Sequence, residues 1–413
     1  MSGAISDLSA RAILDSRGNP TVEVDCYVNG RMQGRAAVPS GASTGSYEAI
    51  ELRDGGDEWA GKGVASAVAN VNGEIREALI GMDVTDQEGI DAILVSLDGT
   101  QNKARLGANA MLGVSMACLK AAAPGALWQH IAGEGPSSVP VPQMNILNGG
   151  AHAASNVDIQ EFMVVPHGFD SFPDALRAGV EIYHSLKAVL KEEGLIGGIG
   201  DEGGFAPNLP RNEDGLRLVL TAISSAGYTP GQQVSIALDC AAQEFCHDDG
   251  YHIDGSVLSG SELGQLYSSW LDTYPLVSLE DAFGEDDWEA WSEFTDREGH
   301  RVQVVGDDLY VTNPTRLSKG ITEGASNAIL IKLNQIGTVS ETMRVIEMAR
   351  SAGFSTIISH RSGETSDHMI SDLAVGSNAG QIKTGAPARS DRTAKYNQLI
   401  RINEQCQNYA DLF

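Results

Sequence analysis

Apolar residues recur along this chain with two different periods, and the change between them divides the sequence. Residues 10–40 carry strand signals. RAILDS and TVEVDCYV are β-rich runs separated by the turn cluster Arg17-Gly18-Asn19-Pro20, and Asn29-Gly30 marks a tight hairpin before RMQGRAAV. Helical spacing then takes over and predicts helices over 63–80, 85–96 and 106–123. The stretch 133–140, rich in Gly, Pro and Ser, reads as a linker. A β-then-α domain is therefore expected over 1–138 and a larger unit over 139–413.

The larger unit repeats a pattern. VSIALD, LVSLED, VQVVGDD, AILIKLN, TIISHR and GQIKTG follow one another at intervals of 23 to 41 residues, with helical patterns such as 287–297 and 339–352 between most of them. Apolar strands alternating with helices mean βα units and a parallel sheet. Two earlier runs, MNIL at 144–147 and EFMVV at 161–165, bring the strands to eight, enough for a closed α/β barrel. The 13 residues joining these two runs open on Asn148-Gly149-Gly150 and are barely enough for a helical crossover. The second strand is expected to run antiparallel to the first, with helical segments after it over 173–193 and 213–226.

Composition narrows the class. The chain has 413 residues, of which 42% are hydrophobic and 20% charged, so it can bury a core and is not a disordered chain. The formal charge of −27 argues against nucleic acid or an anionic membrane as a main partner. The longest stretch free of charged side chains, 135–157, contains three prolines and cannot span a bilayer. The start MSGAISDLSAR lacks the pattern of a signal peptide. Five cysteines without a CxxC spacing fit a reduced, cytoplasmic protein with no cysteine-held metal.

Barrel active sites form at the C-terminal ends of the strands. The apolar runs reach, in order, Asp239, Glu280, Asp307, Lys332, His360 and Lys383. Any one of these alone reads as a solvated strand-end charge; six in succession read as a site. Three carboxylates on adjacent strands offer hard oxygen donors, which favour Mg²⁺ over zinc. Asp281 and Asp308 are possible substitutes for their neighbours, but alternation points only one of each pair inward. Lys332 lies among apolar neighbours, so it needs an ion-pair partner or a depressed pKa suited to a general base. Three loops add candidates. GDEGGFAP (200–207) and NGGAHA (148–153) set acids and a histidine among glycines. SHRSGET (359–365) is expected to open a helix and cradle phosphate, or simply to cap that helix. Ser40–Gly45 reads as a mobile lid or a plain connector.

With these segments in order, the chain resembles the enolase (phosphopyruvate hydratase) family nearly end to end. The resemblance is carried by DSRGNPTVEV, the Ser40–Gly45 loop, LDGTQNKARLGANA, NGGAHA, GDEGGFAPN, LDCAAQEF, SLED, VVGDDLYVTNP, IKLNQIGT, SHRSGETSD and GQIKTGAPARS. It implies an α/β barrel of the type ββαα(βα)₆ after an α+β N-terminal domain, and conversion of 2-phosphoglycerate to phosphoenolpyruvate and water with two Mg²⁺. By position, Asp239, Glu280 and Asp307 match ligands of the tighter metal, and Ser43 one of the second. Lys332 matches the base at C2 and Glu202 the acid at the C3 hydroxyl. Glu161, His152 and Gln160 match substrate-side groups, and His360 a neighbour of the site. Arg361 and Ser362 match phosphate binders, and Lys383 the partner of the substrate carboxylate. Glu202 is accordingly expected to be held protonated among other acids. The resemblance also implies a homodimer or a ring of dimers. Another lyase or racemase of the wider superfamily, or an added scaffold role, are the competing readings.

Overall fold

The computed structural model describes residues 3–41, 45–153, 155–195 and 197–413. Its first strands, β1 (Ile5–Leu14), β2 (Pro20–Val28) and β3 (Arg31–Ala37), form an antiparallel meander in the order β1-β2-β3. Asn29 and Gly30 both take positive φ, 52° and 75°, at the hairpin between β2 and β3. That left-handed pair matches strand twist, which is why Asn-Gly is favoured there. One face of β2 buries Val22, Val24, Cys26 and Val28 completely. Helix Ala108–Ala122 covers this sheet and is apolar on nearly every side. Its close approach depends on Gly34 of β3, where a Cβ would stand 2.0 Å from the Ala117 carbonyl oxygen.

Helix Gln87–Asp98 starts on an Asp86 cap and ends at Gly99 with φ 70°, as its sequence signals require. The predicted helix over 63–80 is not continuous. It runs Ala65–Asn70, widens into a π turn at Val71–Ile75, and resumes over Arg76–Leu79. Gly73, with φ −105° and ψ −108°, breaks the ladder because glycine carries no side chain to hold it helical.

The eight expected strands are present: β4 (Val141–Asn148), β5 (Glu161–Val165), β6 (Ser235–Asp239), β7 (Leu276–Glu280), β8 (Gln303–Gly306), β9 (Ala328–Ile331), β10 (Ser355–Ser359) and β11 (Gly380–Lys383). They pair in chain order, and β11 closes the ring onto β4. β5 is antiparallel to both β4 and β6, and every other pair in the ring is parallel. Helices Phe172–Glu192 and Asn212–Ser225 follow β5 before β6 begins, and helices alternate with strands thereafter. This is a ββαα start followed by βα units. Gln143, Gln381 and Gln303 hydrogen-bond across the barrel interior, and below them Tyr409 and Ala410 near the C-terminus pack on Val141, Met163 and Val165. Among the described residues no helix is long and apolar enough to cross a membrane. The cysteines are free thiols; Cys26 and Cys118 face each other at 3.8 Å without a bond.

Candidate active site

Strand alternation decides which side chains meet at the top of the barrel. Val141, Met163, Ala237, Val305, Leu330 and Ile357 fill the interior lower down. Counting on by twos from these residues reaches Asn145, Glu161, Asp239, Asp307, Lys332 and Ser359. Glu280 and Lys383 take the same place on β7 and β11. Asp281 has the opposite parity. Its carboxylate turns away and accepts the backbone N–H groups of Asp307 and Asp308, both at 2.8 Å, so it does not replace Glu280 in the cavity.

Positive and negative groups interleave around this ring. Lys383 Nζ, with a side chain only 2% exposed, lies 2.8 Å from Asp239 Oδ2, 2.9 Å from both Glu280 oxygens and 3.1 Å from Glu161 Oε1. Burial pushes this ammonium down, but the carboxylates outweigh it and hold the lysine well above its ordinary pKa. Lys332 Nζ donates to Asp307 Oδ2, while Gln335 Nε2 donates to the other Asp307 oxygen at 2.8 Å. Here too burial lowers and Asp307 raises, and the net direction is upward. Of the two expectations for Lys332, the structure therefore contains the ion pair and not the depressed pKa, because a carboxylate lies in direct contact.

The predicted ligands Asp239, Glu280 and Asp307 stand on neighbouring strand ends, with two ammonium groups among them. Each ammonium is a stand-in cation on carboxylate oxygens, so the donor chemistry fits a hard divalent ion. Among the described residues, the acid groups compact enough to share an ion are His152–Glu161–Glu202 and Asp281–Asp307–Asp308, with ligand atoms within 4.8 Å of one another. The predicted trio is not one of them, because the lysine side chains stand between its members. In the second group, burial and the neighbouring Asp307 push the Asp308 carboxyl up to about 8. Ser43 lies outside the described residues.

Beside Glu161 stand His152 and Glu202, and His360 lies next to Glu202. Asn145 Nδ2 donates to Glu202 Oε2 at 3.0 Å, His360 Nε2 lies 3.3 Å from that oxygen, and His152 Nδ1 lies 3.6 Å from an oxygen of Glu202 and of Glu161. Burial raises the Glu202 carboxyl, but the flanking histidines and Arg392 outweigh it and leave it below the ordinary range. Glu161 is pushed well above it, first by burial and then by the charge of Glu202. The downward direction at Glu202 is opposite to the one expected of an acid held protonated. Asn145 donates a hydrogen bond to Glu202, whereas Glu161 Oε2 has no hydrogen-bond partner. Gln160 Nε2 reaches Asp239 at 3.4 Å. Gln160 Oε1, Glu161 Oε2 and His152 Nδ1 are buried without hydrogen-bond partners, an arrangement that calls for a polar ligand.

The SHRSGET segment departs from its expectation. The helix after it begins only at Met369, because Glu364 folds back to accept the Arg361 and Thr365 N–H groups at 3.2 and 3.0 Å. Gly363 and Ser40 exchange backbone hydrogen bonds at 2.8 Å. No helix N-terminus is offered to phosphate there, and the Arg361 and Ser362 side chains remain the candidate anion binders. Arg361 makes a fork to Glu48, at 2.9 and 3.1 Å, and reaches Asn334 Oδ1 at 2.9 Å. The Ser362 hydroxyl is 3.5 Å from Arg17.

His152, Gln160, Glu161, Glu202, Asp239, Lys332, Ser359, His360, Arg361, Ser362 and Lys383 line one cavity of about 20 Å³. That is room for about one water molecule, so a larger ligand enters only as the charged side chains lining the cavity move apart. Sequence reading missed Asn145, Glu48, Asn334 and Arg392. Strand parity from Gln143 flags Asn145; the other three reach the site from loops or a helix and have no local signal.

Residues 5–130 match the family described as enolase, N-terminal domain, and residues 136–412 match enolase, C-terminal TIM barrel domain. The chain is 57% identical over 409 residues to an enolase of Acidothermus cellulolyticus, covering 98% of this chain and 95% of that one. It is 56% identical over 406 residues to an enolase of Natranaerobius thermophilus, covering 97% and 95%. Both halves of the molecule, the cap sheet and the ring of charged strand ends, therefore fall under one ancestry, and the chain belongs to the enolase family.

Proposed function

We propose that the cavity at the top of the barrel dehydrates 2-phosphoglycerate to phosphoenolpyruvate, with residues 1–138 as a cap over a catalytic barrel of 139–413. The observation that carries the reading is that Lys332, Lys383, Glu161, Glu202, His152 and His360 line one small cavity together with Arg361 and Ser362. Arg361 and Ser362 hold the phosphate through charge-assisted hydrogen bonds, which requires Arg361 to loosen its fork on Glu48. Lys383 faces the substrate carboxylate and offsets the charge that grows there as C2 loses its proton. Lys332, as the neutral amine, takes that proton, so its contact with Asp307 must loosen before the step. Glu202 then gives a proton to the C3 hydroxyl, and the C3–O bond breaks with release of water. That proton is held in the Glu161–Glu202 pair, which His152 flanks at 3.6 Å from an oxygen of each. Asp239, Glu280 and Asp307, with Ser43, would hold two Mg²⁺, which would supply positive charge to offset the carboxylate of the substrate. By the same family likeness the working unit is a homodimer or ring of dimers in the cytoplasm.

An assay of phosphoenolpyruvate absorbance, with Mg²⁺ and with chelator, tests the reading. Lys332→Ala leaves Asp307 its Gln335 partner, so the fold persists by circular dichroism while turnover falls by about 10²–10⁴-fold, the usual worth of a general base. Near-normal turnover in the folded variant removes Lys332 from the role.

A further inference from the structure

Arg392, on helix Ser390–Asn403, has no exposed surface and lies behind the cavity. Its Nη2 donates to the Ser362 carbonyl at 2.7 Å and to that of Asp201 at 3.2 Å. Its Nη1 donates to the Arg361 carbonyl at 2.6 Å and also contacts His360 Nδ1. One guanidinium thus ties together the loop of Glu202 and the segment of the phosphate binders. The contact with His360 has a further consequence. A guanidinium has N–H donors and no acceptor, so the ring nitrogen facing it must present a lone pair. A neutral imidazole with Nδ1 as acceptor carries its proton on Nε2, and Nε2 lies 3.3 Å from Glu202 Oε2. That nitrogen is buried without a hydrogen-bond partner, and Glu202 is the acceptor beside it. Burial first, and the adjacent Arg392 charge with it, keep the ring neutral, with a pKa of about 3 despite the Glu202 charge.

We infer that Arg392 is a positioning residue that locks His360 in the Nε2–H tautomer, aimed at Glu202. The inference rests on the proposed reaction for its consequence. An Nε2–H donor steadies the Glu202 carboxylate left when its proton goes to the C3 hydroxyl. Arg392 therefore governs C3–O cleavage, while the removal of the C2 proton by Lys332 does not depend on it.

Two measurements on the full chain test this. Nitrogen-15 NMR of histidine-labelled wild type, with His360 identified by loss of its signals in His360→Gln, reads the tautomer directly. The expected result at neutral pH is a protonated Nε2 and an unprotonated Nδ1. A proton on Nδ1, or on both nitrogens, overturns the inference whether or not any Arg392 variant folds. Arg392→Lys keeps the charge and loses the fork. Deuterium exchange at C2 of 2-phosphoglycerate is expected to stay within about twofold of wild type, while elimination slows by about 10–100-fold, the scale typical of orienting groups behind a site. Equal slowing of both steps means a merely structural role and refutes the proposal. Failure of the proposed reaction itself shows separately, as wild type that neither exchanges C2 nor forms phosphoenolpyruvate.

Discussion

Lys383→Met tests whether the charge balance at the barrel top holds the metal-free protein together. Methionine keeps the volume of the stem but leaves Asp239, Glu280 and Glu161 without the cation they share. Burial already pushes Glu161 and Glu280 upward in the intact site. The cheapest response is therefore for one more carboxyl to take a proton. At pH 7, protonating a glutamate of ordinary pKa about 4.3 costs about 3.7 kcal/mol, at 1.36 kcal/mol per pH unit. This agrees with the loss of about 3–5 kcal/mol when one partner of a buried ion pair is removed. At pH 5 the same protonation costs only about 1 kcal/mol. The sign follows from the raised folded-state pKa: the protonated form is favoured in the fold, so the deficit grows as pH rises. Unfolding entropy is about 2.1 cal/mol/K per residue, and over 413 residues the expected drop in Tm is about 4 °C at pH 7 and about 1 °C at pH 5. The assay is thermal unfolding of both proteins in chelator, followed by far-UV circular dichroism. Saturating Mg²⁺ narrows the gap, because a divalent ion on the same oxygens replaces the lost charge. An unchanged Tm at pH 7, or a larger deficit at pH 5 than at pH 7, refutes the reasoning.

Two further outcomes concern the cap, one at its contact with the barrel and one in its own packing. Asp367 accepts the Lys120 ammonium at 2.6 Å and the N–H groups of Ala37 and Met369 at 3.0 and 2.9 Å; burial raises its carboxyl, but these donors outweigh it and hold it low. Asp367→Asn is expected to lose about 1.5–3 kcal/mol in urea unfolding at pH 7, the worth of a charge-assisted hydrogen bond. Because the folded pKa is depressed, the wild-type advantage is present above the unfolded value of about 3.9 and fades as pH falls through the lower folded one. A deficit independent of pH contradicts the ion pair. Gly34→Ala drives a methyl group to 2.0 Å from the Ala117 carbonyl oxygen. The expected cost is near the top of the overpacking range of about 1–3 kcal/mol, with activity per folded molecule kept; an unmoved urea midpoint shows that the sheet and helix can separate.

Periodicity and residue type alone determined the strand list, the antiparallel second strand and the strand-end charges, because these depend on neighbours a few positions away. Parity did the same for Asp281, which faces backbone amides as alternation requires. Other features come from residues far apart in the chain. Glu364 turns inward and takes the amides that SHRSGET seemed to offer phosphate, which delays the helix to Met369. Glu48 from the cap reaches Arg361 across 313 positions, and Arg392 arrives behind His360 from the last helix. Protonation belongs to this second class. A group's charge depends on every partner packed around it, so the linear pattern left Lys332 open between an ion pair and a lowered pKa, and only packing sets Asp307 against it. The sequence by itself determined which chemical groups the barrel carries to its mouth. Tertiary packing alone decided which of them touch, and therefore which hold a proton.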